Sequence, residues 1–329
     1  MNNLLFGVSA ALLLSFSILA NSCVYDNRDA CYLDIRFSYA YNVKEADAFS
    51  SEVKDIELYV FDEDGMFLTA WQDKSMEFPL DYTMRLPSLE AGTYTFVAMG
   101  RNKSIDDSSL EFRCARLEPQ LSRLGDLTVR LEAPDGVCST EIAALYNGYC
   151  TVKLENGTQQ VHVEMKKLTN RFRILLLPYV GDRLPAADEF DIRIESSATW
   201  LDYRGESFQD ERVTFLPFLQ ETIASGTTDS PTVSSGILAD LNTSRLLYED
   251  RPALVVRSRS DGKELLRINL AWLLSLQGIA EHRSQWSNQE YLDRQDMYSL
   301  TFFVDGTLFI TSSIVVNGWV LSLSDVTLH

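Results

Sequence analysis

The residues best placed to do chemistry in this chain form one short run, Asp293-Arg294-Gln295-Asp296, set between apolar stretches. A guanidinium flanked by two carboxylates is the raw material of an acid–base pair or a ligand site, but no nucleophile, metal ligand or histidine stands beside it. Asp293, Arg294 and Asp296 therefore read as a partly buried structural cluster in which the arginine satisfies both acids, since an unpaired charge there would be costly. Asp62-Glu63-Asp64-Gly65 suggests a calcium loop, yet the full ligand spacing and the distal glutamate are missing, so it reads as a hairpin turn. His162, His282 and His329 have no partner at zinc-ligand spacing, and GxSxG, GxGxxG and P-loop patterns are absent. Trp71, Trp200, Trp272, Trp286 and Trp319 could line a sugar platform; their spread through alternating segments favours core packing. Neither an enzyme nor a cofactor is expected, and no small-molecule substrate.

The elements around these residues have mostly period two. Residues 287–323 open with Ser287-Asn288-Gln289-Glu290, which fits a capping box ahead of a short helix carrying Tyr291, Leu292 and Gln295. From Met297 the pattern alternates, with Tyr298, Leu300, Phe302 and Val304 on one face. Asp305-Gly306 predicts a tight type I′ hairpin into a strand carrying Leu308 and Ile310. Asn317-Gly318 predicts a second turn, into a strand carrying Trp319, Leu321 and Leu323. Upstream, Leu33, Ile35, Phe37 and Tyr39 mark a half-buried first strand, followed by a loop to Val53 with a helical turn or two. Ile56, Leu58 and Val60 mark the next strand, and Tyr94, Phe96 and Ala98 another. Turn signals recur about every ten residues, the mark of an all-β sandwich rather than βαβ units. With 329 residues there is length for about two domains, and Glu155-Asn156-Gly157 is the expected boundary, giving sandwiches at 31–156 and 157–329. Residues 271–276 predict a helix burying Trp272, and 225–235 a long polar surface loop.

The apolar run at residues 4–20 ends in Asn21-Ser22-Cys23 and is followed by a polar stretch without basic flank, so 1–22 reads as a signal peptide. Small or polar residues directly before Cys23 make it the expected lipidation site, with residues 23–30 as a tether; acyl chains there would hold the chain to a membrane. A formal net charge of −18 excludes a nucleic-acid partner and disfavours adsorption to anionic lipid. With Cys23 assigned to lipid, Cys31, Cys114, Cys138 and Cys150 remain as disulfide candidates in an oxidising compartment. Three connectivities are possible, of which Cys138–Cys150 with Cys31–Cys114 stays within the first domain and does not interlock.

The closing stretch YLDRQDMYSLTFFVD, followed by VVNGW, resembles the C-terminal signature of the FimB-like fimbrial anchor lipoproteins of type V pili in Bacteroidetes. The likeness extends to ADAFSSEVKDIELYVFDEDG, LPSLEAGTYTFVAMG, KKLTNRFRILL, the TSRLL run around Ser244 and ELLRINLAWLLSL, so it covers nearly the whole chain. The uncharged leader start and Cys114, Cys138 and Cys150 depart from it. The resemblance implies two tandem transthyretin-like β-sandwiches with short helical insertions. It also implies a surface-exposed lipoprotein of the outer membrane that anchors or terminates a fimbrium, with fimbrial shaft and accessory subunits as partners through strand exchange. In polymerising relatives an arginine-specific protease cuts after the first strand; here residues 40–53 contain Lys44 but no arginine. Arg28 precedes the strand and Arg36 lies within it. The rival readings are a glycan-binding surface lipoprotein, a fimbrial tip adhesin and a hydrolase with an unrecognised site.

Overall fold

A computed structural model describes residues 31–103, 112–179, 184–209, 211–225, 234–282, 285–305, 307–308 and 310–322. The signal-peptide, tether and Cys23 assignments lie outside the described residues. In chain order the first domain opens with β1 (Tyr32–Ser38), the short helix α1 (Phe49–Glu52), β2 (Asp55–Phe61), β3 (Phe67–Lys74), β4 (Thr83–Pro87) and β5 (Gly92–Arg101). Three short strands follow: β6 (Phe112–Cys114), β7 (Thr128–Leu131) and β8 (Val137–Cys138). Then come β9 (Leu145–Leu154), β10 (Gln159–Lys167) and β11 (Thr169–Pro178). The chain continues with β12 (Phe190–Ser196), β13 (Trp200–Asp202), β14 (Ser207–Gln209), β15 (Val213–Phe215), β16 (Leu219–Ser225) and β17 (Ser234–Ser244). It closes with β18 (Ala253–Ser258), β19 (Glu264–Asn269), α2 (Leu270–His282), α3 (Asn288–Arg294), β20 (Met297–Val304), β21 (Ile310–Val316) and β22 (Trp319–Ser322). The expected all-β class with short helical insertions is what the chain adopts.

The first sandwich is one seven-stranded sheet, ordered β3-β2-β5-β9-β10-β1-β4, that folds over on itself. The fold line is β10. Its residues Leu33-facing Gln159 to Ser38-facing Glu164 run parallel to β1, while Met165, Lys166 and Lys167 pair antiparallel with Gly148, Asn147 and Tyr146 of β9. A strand that changes partners in this way makes the corner of a sandwich. The two halves then enclose Leu33, Ile35, Phe37, Ile56, Leu58, Val60, Phe96, Val161 and Val163, the inward sets that alternation requires. The corner needs Gly148: a Cβ there would lie 2.4 Å from the Glu164 carbonyl oxygen.

The second domain packs a six-stranded sheet, β16-β17-β11-β20-β21-β22, on a five-stranded one, β19-β18-β12-β15-β8. Phe172, Ile174, Leu300 and Phe302 from the first meet Ile192, Ile194, Leu254 and Val256 from the second, and Leu270, Leu273 and Leu274 of α2 join the same core. Its opening strand repeats the scheme of the first domain, since β11 runs parallel to β20 as β1 does to β10.

The expected boundary at 155–157 is corrected. Glu155-Asn156-Gly157 is the turn of the β9–β10 hairpin, with Gly157 at φ 111°, and β10 completes the first sheet. The domains change over at Leu168, one residue between β10 and β11. Strands β6 to β8, from before the expected boundary, pair with β7, β13 and β15 and so belong with the second half. They cover the outer face of β2 and β5, so Tyr59, Phe61, Val97 and Met99 join the second core through Phe112, Val129 and Leu131. The Asp305-Gly306 turn is also wider than predicted. Val304 pairs with Ile310, the strand starts at Ile310, and Leu308 lies outside it at φ 61°. Asn317-Gly318 is the two-residue turn expected, with φ 46° and 90° between paired Val316 and Trp319.

Gly148→Ala should lower the thermal unfolding midpoint by an amount equivalent to about 1–3 kcal/mol, because the clash is with backbone that can yield only by moving the corner. A melting curve unchanged from the parent would show that β9 and β10 separate at no cost.

Candidate functional site

Where the two domains meet, the residues that sequence reading singled out do come close, but with different partners. Asp293, buried in α3, accepts from Arg245 rather than from Arg294: Arg245 Nε and Nη2 donate to its two oxygens, each at 2.7 Å. Arg245 Nη1 also donates to the Gly205 carbonyl at 2.7 Å and to Glu206 Oε2 at 2.8 Å. Gln289 completes the shell, giving Nε2 to Asp293 Oδ1 at 2.9 Å and taking the Tyr248 N–H at 2.8 Å. Burial alone would weaken the Arg245 cation, but the bonds and charge of Asp293, then of Glu206, hold its pKa above the ordinary value. Arg245 and Lys166 together hold the Glu206 carboxyl below the ordinary range against its own burial.

Asp296 belongs to a second group. It pairs with Lys167, the last residue of β10, which also donates to Glu52 of α1 at 3.1 Å. Glu52 in turn accepts from Tyr146 Oη at 2.6 Å. Burial opposes the Lys167 charge, and Asp296 and Glu52 outweigh it, so its pKa is raised. One lysine at the crossing point thus ties a carboxylate of each domain.

Arg294 is corrected from the hub of an Asp–Arg–Asp triad to a clamp on the first domain. Its Nε donates to Glu290 at 3.0 Å, and its guanidinium lies 4.2 Å from the Tyr41 ring centre and 4.9 Å from that of Trp286. Its carbonyl accepts from Val43 N–H at 3.2 Å. The predicted capping box is half made: Ser287 Oγ accepts from Glu290 N–H, while the Glu290 carboxylate turns forward to Arg294. Helical geometry accounts for the difference, because residues 293 and 294 point to different sides of α3 and it is side chains three or four apart that meet. Arg245, absent from the sequence-derived cluster, lies in the TSRLL run; its only signal there is a lone arginine directly before the apolar pair Leu246-Leu247.

The four cysteines are free thiols, and this corrects the expected disulfides. Cys114 and Cys138 lie in different sheets against the second core, while Cys150 packs on the first. Arg101 Nη2 lies 3.8 Å from Cys114 Sγ, yet burial pushes that thiol up to about 11, and burial alone does the same for Cys150. Neither is a ready thiolate at neutral pH.

Among the described residues no cluster of His, Cys, Asp and Glu could hold a metal. Asp62 Oδ1 accepts from the N–H groups of Asp64 and Met66, as a hairpin turn requires. His162 Nε2 is 2.8 Å from Ser38 Oγ. The five tryptophans sit on β3, β13, α2, the approach to α3, and β22; Trp71, Trp272 and Trp286 pack against cores, and Trp319 is 51% exposed.

The remaining site is the first strand itself. β1 is paired along both edges, Leu33 to Ser38 with β10 and Tyr32 to Arg36 with β4, and its inward residues are buried. Arg36 is opposed by His162 on one side and Thr83 on the other, so its backbone is locked in two ladders although its side chain is exposed.

Fold and site define a two-sandwich β protein whose first strand is built in and whose domains are joined by buried ion pairs. The sequence profile of the family described as fimbrillin-A associated anchor proteins Mfa1 and Mfa2 matches residues 28–325, and the chain belongs to that family. It is 21% identical over 311 residues to the minor fimbrium anchoring subunit Mfa2 of Porphyromonas gingivalis, covering 91% of this chain and 88% of that protein. The solved structure of that anchor has the same fold, with a TM-score of 0.67 at 19% identity over 88% of this chain and 98% of it. A candidate adhesin from Bacteroides thetaiotaomicron superposes with a TM-score of 0.80 at 27% identity, covering 90% of this chain and 99% of its own. A candidate polysaccharide-binding protein from the same organism gives 0.76 at 28%, with the same coverage.

Arg245→Met should cost about 3–5 kcal/mol of stability, read by denaturant unfolding, because it strands a buried carboxylate. Arg294→Ala should cost only about 1 kcal/mol, the scale of a stacked, partly exposed cation. Equal losses would restore Arg294 to the hub. The Glu206 pKa is lowered on folding, so its contribution is present above the ordinary glutamate value of 4.5 and is lost as pH falls below it. Glu206→Gln should flatten that acid limb of the melting-temperature profile and leave the neutral region shallow.

Proposed function

We propose that this chain is an outer-membrane lipoprotein that anchors a fimbrium and closes it at its membrane end. Membership of the anchor family supplies the class, and fimbrial subunits are the partners it implies. The observation that carries the terminating part is the double pairing of β1. A subunit that accepts a donor strand in its first domain must lose the strand that fills the groove. Here that strand holds six residues against β10 and five against β4, and the one arginine within it is ladder-bound on both sides. Cleavage at Arg28 would sever the tether and leave the sheet whole. The membrane attachment rests on Cys23 and the leader before it, and the outward end is left for strand exchange with shaft subunits. β22 suits such an exchange: among the described residues it is the outermost strand of its sheet, and it exposes Trp319 and Val320. No catalytic chemistry is assigned.

Sequencing the mature surface protein tests this. A blocked, acylated Cys23 is the expected result, whereas a free N-terminus beyond Ala40 would make the chain a polymerising or tip subunit. Cys23→Ser should move the protein from the membrane fraction to the soluble fraction, and persistence in washed membranes would refute the lipid anchor.

A further inference from the structure

The corner that turns the first sheet also opens a cleft. Beyond Gly148, β9 keeps only β5 as a partner, and before Met165, β10 keeps only β1, so the two strands diverge. In the divergence, on the outer face of the sheet, lies a cavity of about 260 Å3 lined by Tyr41, Tyr149, Glu164, Lys166 and Arg204.

One wall is held rigid by unusual means. The turn between β13 and β14 is cinched by Asp202 Oδ1, which accepts from Arg204 and Glu206 N–H groups, each at 2.9 Å. Asn147 Nδ2 ties the turn to the sheet through the Tyr203 carbonyl at 2.9 Å. Gly205, at φ 73°, lets the turn sit so low that a Cβ would come within 2.9 Å of Leu168 and 3.2 Å of Asn147 Oδ1. The cleft is therefore formed before any ligand arrives, which removes an ordering cost from binding.

Its chemistry is specific. Tyr149 is 47% exposed in the middle of a long strand and is braced edge-on by Tyr203, ring centres 5.6 Å apart at 81°. Arg204 stacks over Tyr203, 5.0 Å from its ring centre. Lys166 gives one bond to Glu206 at 3.2 Å, leaving further donors, and Glu164 is exposed. Each cation already faces an acid, Lys166 with Glu206 and Arg204 with Asp202 at 3.7 Å, and Glu164 adds a third carboxylate. With the chain at −18 overall, an anionic ligand is disfavoured. The site thus offers a fixed aromatic face, ringed by both donors and acceptors, without net positive charge, in a space for one small ring.

We propose that this cleft binds a neutral sugar ring of a glycan, its C–H face against Tyr149 and its hydroxyls shared among Glu164, Lys166 and Arg204. A hydroxyl group donates to a carboxylate and accepts from a cation through one oxygen. A sugar ring carries several of them around an apolar C–H face, which matches an aromatic plate ringed by both kinds of partner. The inference is independent of the anchoring function, since it uses no residue of β1 or β22.

Saturation-transfer difference NMR on the full chain in detergent, with D-galactose, D-mannose and N-acetyl-D-glucosamine, tests it, with D-glucuronate as the charged comparator. At least one neutral sugar should show transfer concentrated on the C–H protons of one ring face. Tyr149→Phe, which keeps the ring, should retain the signal. Tyr149→Ala should weaken binding at least about tenfold while the chain stays folded with a slightly lowered melting temperature, since it removes the stacking face together with the edge contact to Tyr203. Arg204→Gln on the exposed turn gives a second readout and should weaken binding without touching the core. The proposal is overturned if none of the three neutral sugars shows transfer. It is equally overturned if the signal survives Tyr149→Ala, or if glucuronate binds more strongly than all of them.

Discussion

A guanidinium taken out of water at Arg245 sets the terms on which the two domains meet. With its side chain 5% exposed, its charge could persist only by filling its donors, and it does so with Asp293 from α3 and with Glu206 and the Gly205 carbonyl from the β13–β14 turn. Such a pair adds little net stability over an apolar contact of the same shape, but any displacement of one partner leaves the other stranded. The arrangement is thus intolerant of misfit, and it fixes the helix, the turn and the end of β17 to one another. Lys167 repeats the device at the crossing point with Glu52 and Asp296. Orientation between the sandwiches is specified by charge, while the shared apolar core supplies the bulk of the cohesion.

That rigidity is consistent with a protein whose family holds fimbriae. A subunit that must be opened and refilled benefits from a loosely attached first strand. This chain has the reverse: β1 is flanked on both sides and buried on its inner face, and the loop that follows it is pinned by Val43 and Tyr41 to the end of α3. Closure of the first domain and immobility of the junction are one property, because the segment leaving β1 is part of the junction.

Much of this was legible wherever the signal is local. Alternation placed Leu33, Ile35 and Phe37 of β1 and Leu300, Phe302 and Val304 of β20 on the buried side, because period two is a property of each strand alone. The Asn317-Gly318 turn followed from the φ values its two residues tolerate. What escaped were pairings between distant segments. Arg245 and Asp293 are separated by 48 residues, and nothing in either neighbourhood names the other. The nearest arginine to Asp293 in sequence is its helical neighbour, which faces elsewhere. The domain boundary failed for the same reason: a Glu-Asn-Gly turn looks alike within a hairpin and between domains, and only the partners of β10 distinguish them. The cysteines were read from their number and compartment, whereas the structure places Cys114, Cys138 and Cys150 on three different strands, β6, β8 and β9, with Cys31 ahead of β1, and all four are free.

The parallel pairing of β1 with β10 has a mechanical consequence. In the proposed anchor a tether would pull on the chain just before Tyr32, at the start of β1, while load from the second domain would enter through Lys167, at the end of β10. In a parallel pair those two points are at opposite ends of the ladder, so tension slides one strand lengthwise past the other. The cross-links from Leu33 to Ser38 are then strained together instead of parting one after another, as they would if the strands were peeled from a common end. The strand that closes the first sheet would in the same stroke be the joint that bears such traction in shear, and the single residue Leu168 would pass it straight into β11.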